Sequence, residues 1–186
     1  MPIDINGTVF KSSNTALNIT SNSIMGLDIN NGIPIQPHRP YFMATDNYSG
    51  WYSYVAGSWQ DIVLNTVVVD NLNNYNPSNG IFTAPITGTY HFQASTYSYK
   101  NPSSNSDSYV HPIFRVNGSY SAKQASQTTP YRLRMRTYYS GGYTGDTQIN
   151  ELFYLTAGDY VTFHHYCSQS LQWYGNQSFF SGLFIG

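Results

Sequence analysis

The sequence predicts an all-β protein, and three observations carry that expectation. No segment of the 186 residues sustains a helical period, aromatic residues reach 17% while charged residues stay at 9%, and short apolar runs are punctuated throughout by Gly, Pro and Asn. The clearest run covers residues 89–95, where Tyr90, Phe92 and Ala94 alternate with Thr89, His91, Gln93 and Ser95. Period-two alternation gives a strand one apolar and one polar face, so this segment is expected to be half-buried. Gly88 opens it after the turn signal at Pro85.

Upstream, Asn76-Pro77-Ser78-Asn79-Gly80 lies between the apolar runs 62–69 and 81–84. Pro fixes φ and Asn and Gly tolerate positive φ, so the stretch from 62 to 95 reads as strand, loop, strand, turn, strand. Ala157-Gly158-Asp159 separates residues 149–155 from 160–166 and predicts a hairpin. The length suits one domain of roughly 100 to 150 residues plus an appendage, enough to bury a proper core. Isolated soluble domains carry about a quarter charged residues. So low a charge fraction implies that much of the surface is covered by other subunits.

The net charge of −1 offers no electrostatic footprint for nucleic acid or for an anionic membrane, and both are excluded as partners. No stretch approaches the roughly 20 apolar residues of a membrane span. The start, Met1-Pro2-Ile3-Asp4, lacks the basic and apolar regions of a secretory signal and reads as a protein made in the cytoplasm without membrane insertion. Cys167 is the single cysteine, which excludes an intramolecular disulfide, and its aromatic surroundings predict a core thiol. The sequons at Asn6, Asn18, Asn47, Asn117 and Asn176 read as coincidence in a chain so rich in Asn, Ser and Thr.

Four patterns in fixed order then narrow the fold. They are Ile62-Val63-Leu64-Asn65; Tyr75-Asn76-Pro77-Ser78-Asn79-Gly80-Ile81-Phe82 running on to Pro85-Ile86-Thr87-Gly88-Thr89-Tyr90-His91-Phe92; Leu155-Thr156-Ala157-Gly158-Asp159-Tyr160-Val161; and Phe179-Phe180-Ser181-Gly182-Leu183-Phe184-Ile185-Gly186. In this order the chain resembles the complement 1q and tumour-necrosis-factor jelly-roll family from about Arg39 to Gly186. The resemblance implies a two-sheet antiparallel sandwich that assembles as a tight homotrimer and recognises partners instead of catalysing reactions. It speaks to fold and assembly more than to any ligand. Some relatives bind calcium, but no matched positions carry that property over here, and no cofactor is expected.

Residues 1–38 fall outside the resemblance. Ile3 and Ile5, Leu17 and Ile19, Leu27 and Ile29, then Ile33 and Ile35 form apolar pairs at period two among Asn, Ser, Gly and Thr. Such fragments cannot build a core alone. They are either a flexible leader or short strands that order against another protein or against symmetry mates, and the regularity of the pairs favours strands. Together with the Pro-rich run 34–40, this leader resembles the N-terminal segments of bacteriophage virion proteins. The division expected is therefore an anchor, 1–38, and a jelly-roll head, 39–186.

Candidates for catalysis are few. His164 and His165 are neighbours in a predicted strand and point to opposite faces, so they cannot share one metal in regular geometry. His38, His91 and His111 are scattered, no His-x-x-x-His or Cys-x-x-Cys spacing occurs, and Asp61, Asp70, Asp107 and Asp146 lack calcium-loop spacing. Asp159 reads as a turn residue. With no nucleophile elbow and no phosphate loop, an enzyme is not expected.

Recognition has better candidates. A loop region at 97–111 carries Tyr97, Tyr99 and Tyr109, and another at 131–143 carries Arg132, Arg134, Arg136, Tyr138 and Tyr139. Tyrosine and arginine are the usual anchors of binding surfaces. The alternation of Arg132, Arg134 and Arg136 reads equally well as the wet face of an outer strand with Leu133 and Met135 behind it. Trp51, Tyr52 and Tyr54, beside Gly50 and Gly57, form a third cluster suited to stacking on sugar rings or to filling a subunit interface. The sequence as a whole reads as a trimeric virion protein, a fibre or spike whose residues 1–38 dock to other virion proteins and whose head contacts a host-surface glycan or protein. Capsid decoration and a bacterial carbohydrate-binding or adhesion module are the alternatives.

Overall fold

The computed structural model describes residues 39–99, 108–120, 133–134, 137–139 and 144–186, with the backbone alone at 108, 120, 133–134 and 137–139. The proposed anchor, 1–38, lies outside the described residues. Strands numbered in chain order form two sheets, and every pairing among them is antiparallel. The first sheet runs β10 (Leu133–Arg134), β12 (Thr144–Leu155), β7 (Gly88–Tyr99), β14 (Gln172–Phe184), β1 (Tyr41–Thr45), β4 (Thr66–Asp70), with β2 (Trp51–Ser53) also on β14. The second runs β11 (Thr137–Tyr139), β8 (Ser108–Val116), β13 (Tyr160–Cys167), β6 (Ile81–Thr83), β5 (Tyr75–Asn76), with β3 (Ser58–Asp61) on β13 and β9 (Ser119–Tyr120) on β8. No helix occurs among the described residues.

The alternation read at 89–95 holds along β7. Tyr90, Phe92 and Ala94 are fully buried while His91 and Gln93 are half-buried on the opposite face. Phe92 is central to an aromatic core, with ring centroids 5.3 Å from Phe82, 5.9 Å from Phe114, 6.0 Å from Phe153 and 6.0 Å from Phe180. Across the sheet, Phe92 and Phe42 both pair with Gly182. A Cβ at that glycine would stand 2.6 Å from the Phe42 ring and 2.7 Å from the Phe92 ring, so only glycine leaves both rings room.

Two expectations about the chain path are corrected. Residues 149–155 and 160–166 do not form a hairpin: β12 belongs to the first sheet and β13 to the second. Asp159 folds the connection on itself, its backbone N–H donating to the Thr156 carbonyl and its carboxylate accepting from the Thr156 N–H at 2.7 Å. Gly158 N–H then donates to the Ala84 carbonyl and Ala84 N–H to the Asp159 carbonyl, so this turn is tied to the stretch after β6 and arches between layers. Likewise, 62–69 is not one strand. Ile62 and Leu64 are buried at 2% and 0% exposure in the crossing between β3 on the second sheet and β4 on the first. Their alternation is a burial signal without a ladder, held in place by Ile62 N–H on the Phe163 carbonyl and Tyr75 Oη on the Leu64 carbonyl.

Candidate functional site

The outer face of the first sheet gathers aromatic residues from three distant parts of the chain. Register places Trp51 of β2, Tyr174 of β14, Tyr97 of β7 and Asp146 of β12 in one row, and Ser53, Gln172, Tyr99 and Thr144 in the next. The Trp51 ring lies 4.8 Å from Tyr174, edge-on, and 5.9 and 5.4 Å from Tyr97 and Tyr99. Trp51 keeps 36% of its surface exposed and the three tyrosines are half-buried. Four rings thus make one continuous surface edged by amide, hydroxyl and carboxylate groups.

A buried carboxylate fixes this surface from below. Asp46, 1% exposed, accepts from the Tyr48 backbone N–H at 2.7 Å and from Tyr52 Oη at 2.9 Å. Burial and the adjoining Asp46 push the Tyr52 hydroxyl up to about 12, so it stays protonated as the donor. Tyr52 stacks on Trp173 at 4.5 Å, facing inward from β2. The loop between β1 and β2 is fastened to β14 by Gly175 N–H on the Gly50 carbonyl and Asn176 N–H on the Tyr48 carbonyl, and by a Ser49 Oγ to Tyr174 Oη contact of 2.9 Å. A side chain at Gly175 would meet the Tyr48 carbonyl oxygen at 2.5 Å, so glycine permits this close approach. The rings are therefore held before any ligand arrives.

The residues singled out from sequence separate into groups. Trp51, Tyr97 and Tyr99 come together, and Tyr174 joins them although sequence reasoning passed it over; its only sequence signal was period two from Gln172. Tyr97 and Tyr99 are strand residues of β7, not loop residues as expected. Tyr52 supports the platform from inside, and Tyr54 is buried. Tyr109 stands on the second sheet with its ring 6.0 Å from Tyr166, away from Tyr97. The backbone of Arg134 is in β10 at the edge of the first sheet and that of Tyr138 and Tyr139 in β11 at the edge of the second. Arg132 and Arg136 lie outside the described residues.

No protein-family model matches the sequence, and no curated relative matches it. Among solved structures, the globular domain of zebrafish complement 1qA superposes with a TM-score of 0.51 at 15% identity, covering 80% of this chain and 98% of that one. Murine APRIL at pH 5.0 superposes with a TM-score of 0.50 at 10% identity, covering 79% and 99%. The fold is a jelly roll of the complement 1q and tumour-necrosis-factor type. At these identities the likeness fixes the path of the chain and leaves the ligand to be argued from the site.

The jelly roll carries a second patch on the same outer face. Leu152, His91, Leu183 and Tyr41 form one row across β12, β7, β14 and β1, flanked by Tyr154 and Met43. Tyr154 is 74% exposed and Leu152 54%, well beyond a scattered surface apolar residue. Two rows lie between this patch and the aromatic platform: Asn150, Gln93, Ser181 and Met43, then Gln148, Ser95, Phe179 and Thr45.

The histidine pair of the jelly roll splits as predicted. His165 points into the core, its Nδ1 2.7 Å from Tyr54 Oη, and burial holds it down to about 3. His164 points outward with Nδ1 2.7 Å from Asp61 Oδ1 and Nε2 2.6 Å from Thr162 Oγ1. The Asp61 contact is short without hydrogen-bond alignment, and burial outweighs its attraction, holding His164 down to about 4. The Asp–His–hydroxyl order is that of a nucleophilic triad. With His164 only 3% exposed, however, a substrate has no approach to its ring. Cys167 is equally inert, its thiol pushed up to about 11 by burial. Among the described residues, no group of three His, Cys, Asp or Glu is placed to hold a metal ion.

Proposed function

We propose that this protein is a non-enzymatic, homotrimeric binding module of a phage particle, a fibre or spike whose residues 1–38 dock it to other virion proteins and whose jelly-roll head contacts the host surface. The observation that carries the trimer is the exposed apolar row of Leu152, Leu183 and Tyr41 with Tyr154 and Met43 beside it. Left in water, this surface is a liability; against other copies it supplies the apolar centre of an obligate interface, of the kind that buries about 2,000 Å² or more. The 9% charge fraction and the jelly-roll fold agree with it. Light scattering on the purified chain is expected to give a trimer at micromolar concentration, and Leu152→Asp is expected to give monomers. A stable folded monomer of the unmodified chain would sink the trimer.

Support for the virion setting comes from residues 1–38, whose Ile pairs suit ordering against a partner at roughly 25 cal/mol per Å² of apolar area. A chain beginning at Arg39 is expected to fold and trimerise yet to be missing from particles, measured by immunoblot of purified virions. Normal incorporation would instead favour the decoration reading, in which the head itself cements coat subunits.

A further inference from the structure

We propose that His91 makes the association of the heads depend on acidity: copies hold together near neutral pH and come apart as its imidazole takes up a proton. This rests on the reading of the apolar row as the subunit contact and adds a regulation of that same surface. His91 is the one residue of the row Leu152, His91, Leu183 and Tyr41 that can become a cation.

Its place decides what that charge does. Register sets His91 directly between Leu152 on β12 and Leu183 on β14, which are 54% and 46% exposed. On the same face β7 adds Thr89 and Gln93, β12 adds Tyr154 and Asn150, and β14 adds Ser181, with Ile185 just beyond it. Tyrosine is the only other titratable type among these, and it changes charge far into the alkaline range. No Asp, Glu, Lys or Arg of β7, β12 or β14 occupies these positions, and Glu151 stands opposite Phe92, on the alternate face. Among the described residues the His91 ring makes no hydrogen bond or ion pair.

In one protomer the half-buried imidazole still reaches water, so the free surface accepts a proton. When another copy covers the row, that water leaves, and a cation between two leucines has neither solvent nor counter-charge to stabilise it. The contact therefore excludes the proton that the free surface takes. By linkage, association is complete above the pH at which an exposed histidine titrates, about 6.5, and weakens as the pH falls through that value. A trimer holds three such rings. Excluding one proton from each lowers the association constant by up to about a thousandfold between about pH 7.5 and 5.5, which raises the concentration of half-dissociation by up to about thirtyfold.

Sedimentation of the dye-labelled full-length chain, diluted from micromolar to nanomolar concentration at steps between about pH 7.5 and 5.5, measures the half-dissociation point. The series is repeated in Leu183→Ala, which weakens the contact and brings a very tight trimer into range. Toward acid the half-dissociation concentration is expected to rise at least about fivefold, to stay level in His91→Gln, and to be raised at every pH in His91→Lys. Near-UV circular dichroism at each pH tells dissociation from unfolding, and His165→Gln, which alters a core imidazole, is expected to leave the shift in place. The proposal is overturned by a half-dissociation point that does not move with pH, by one that moves equally in His91→Gln, or by a trimer that survives every dilution and pH in both backgrounds. Tighter association in acid, as a carboxylate across the contact would cause, overturns it too. A folded chain that is monomeric even at neutral pH removes the trimer and this inference with it, whereas a trimer indifferent to pH removes the role of His91 alone.

Discussion

Phe92→Ala is expected to cost about 3 to 5 kcal/mol, at the upper end of what a buried ring loses. The reason lies in what surrounds it. Phe92 is fully buried among Phe82, Phe114, Phe153 and Phe180, each on a different strand. Its cross-strand partner is Gly182, which has no side chain to fall into the space vacated. A cavity that cannot collapse keeps its full penalty. His91→Ala, one residue away on the outer face, is expected to cost roughly 1 kcal/mol or less. Denaturant titration of both variants decides the matter, and the opposite ranking would mean that β7 is turned over by one residue.

The second large effect is loss of stability in mild acid. His165 is wholly buried and held down to about 3, and His164 is held down to about 4, against an ordinary value of 6.5. Both are neutral in the folded state. Below about pH 6.5 the unfolded chain takes up protons that the folded chain refuses, so stability is complete above that pH and falls as the pH drops toward the folded values. Each such group contributes a slope of up to about 1.4 kcal/mol per pH unit, and from pH 6.5 to 4.5 His165 alone accounts for roughly 2 to 3 kcal/mol. Around the pair, Asp61 of β3 favours protonation of His164 while Arg115 of β8 opposes it, and His111 of β8 opposes protonation of His165. Urea midpoints measured across this range should fall with pH, and His165→Gln should flatten the fall. An unchanged slope in that variant would remove His165 as the cause.

The strands were legible where one face meets the core and the other does not. Residues 89–95 announce β7 because Tyr90, Phe92 and Ala94 must be dry and His91 and Gln93 need not be. Ile62 and Leu64 mislead by the same rule, because a crossing segment that buries alternate residues looks like a strand until the absence of a partner is seen. The false hairpin at 157–159 has a related origin. A turn's residues report that the chain reverses, and only packing reports whether it returns to the same layer. The aromatic platform was half legible. Trp51, Tyr97 and Tyr99 were chosen for residue type, but their meeting with Tyr174 depends on register between β2, β14 and β7, which are dozens of residues apart. No local pattern encodes that distance.

The placement of β14 has a consequence for synthesis. It lies in the middle of the first sheet, between β7 and β1, so Tyr41 near the start of the head pairs with Leu183 near its end. A ribosome releasing the chain from its N-terminus exposes Phe42, Tyr90 and Phe92 long before residues 172–184 exist to cover them. Nearly every ladder joins segments remote in sequence, the topology that folds slowly and leaves unpaired edges open meanwhile. Folding of the first sheet therefore waits until residues 172–184 have emerged. Yield of folded protein in a host should therefore rise with chaperone capacity and with lower temperature during expression.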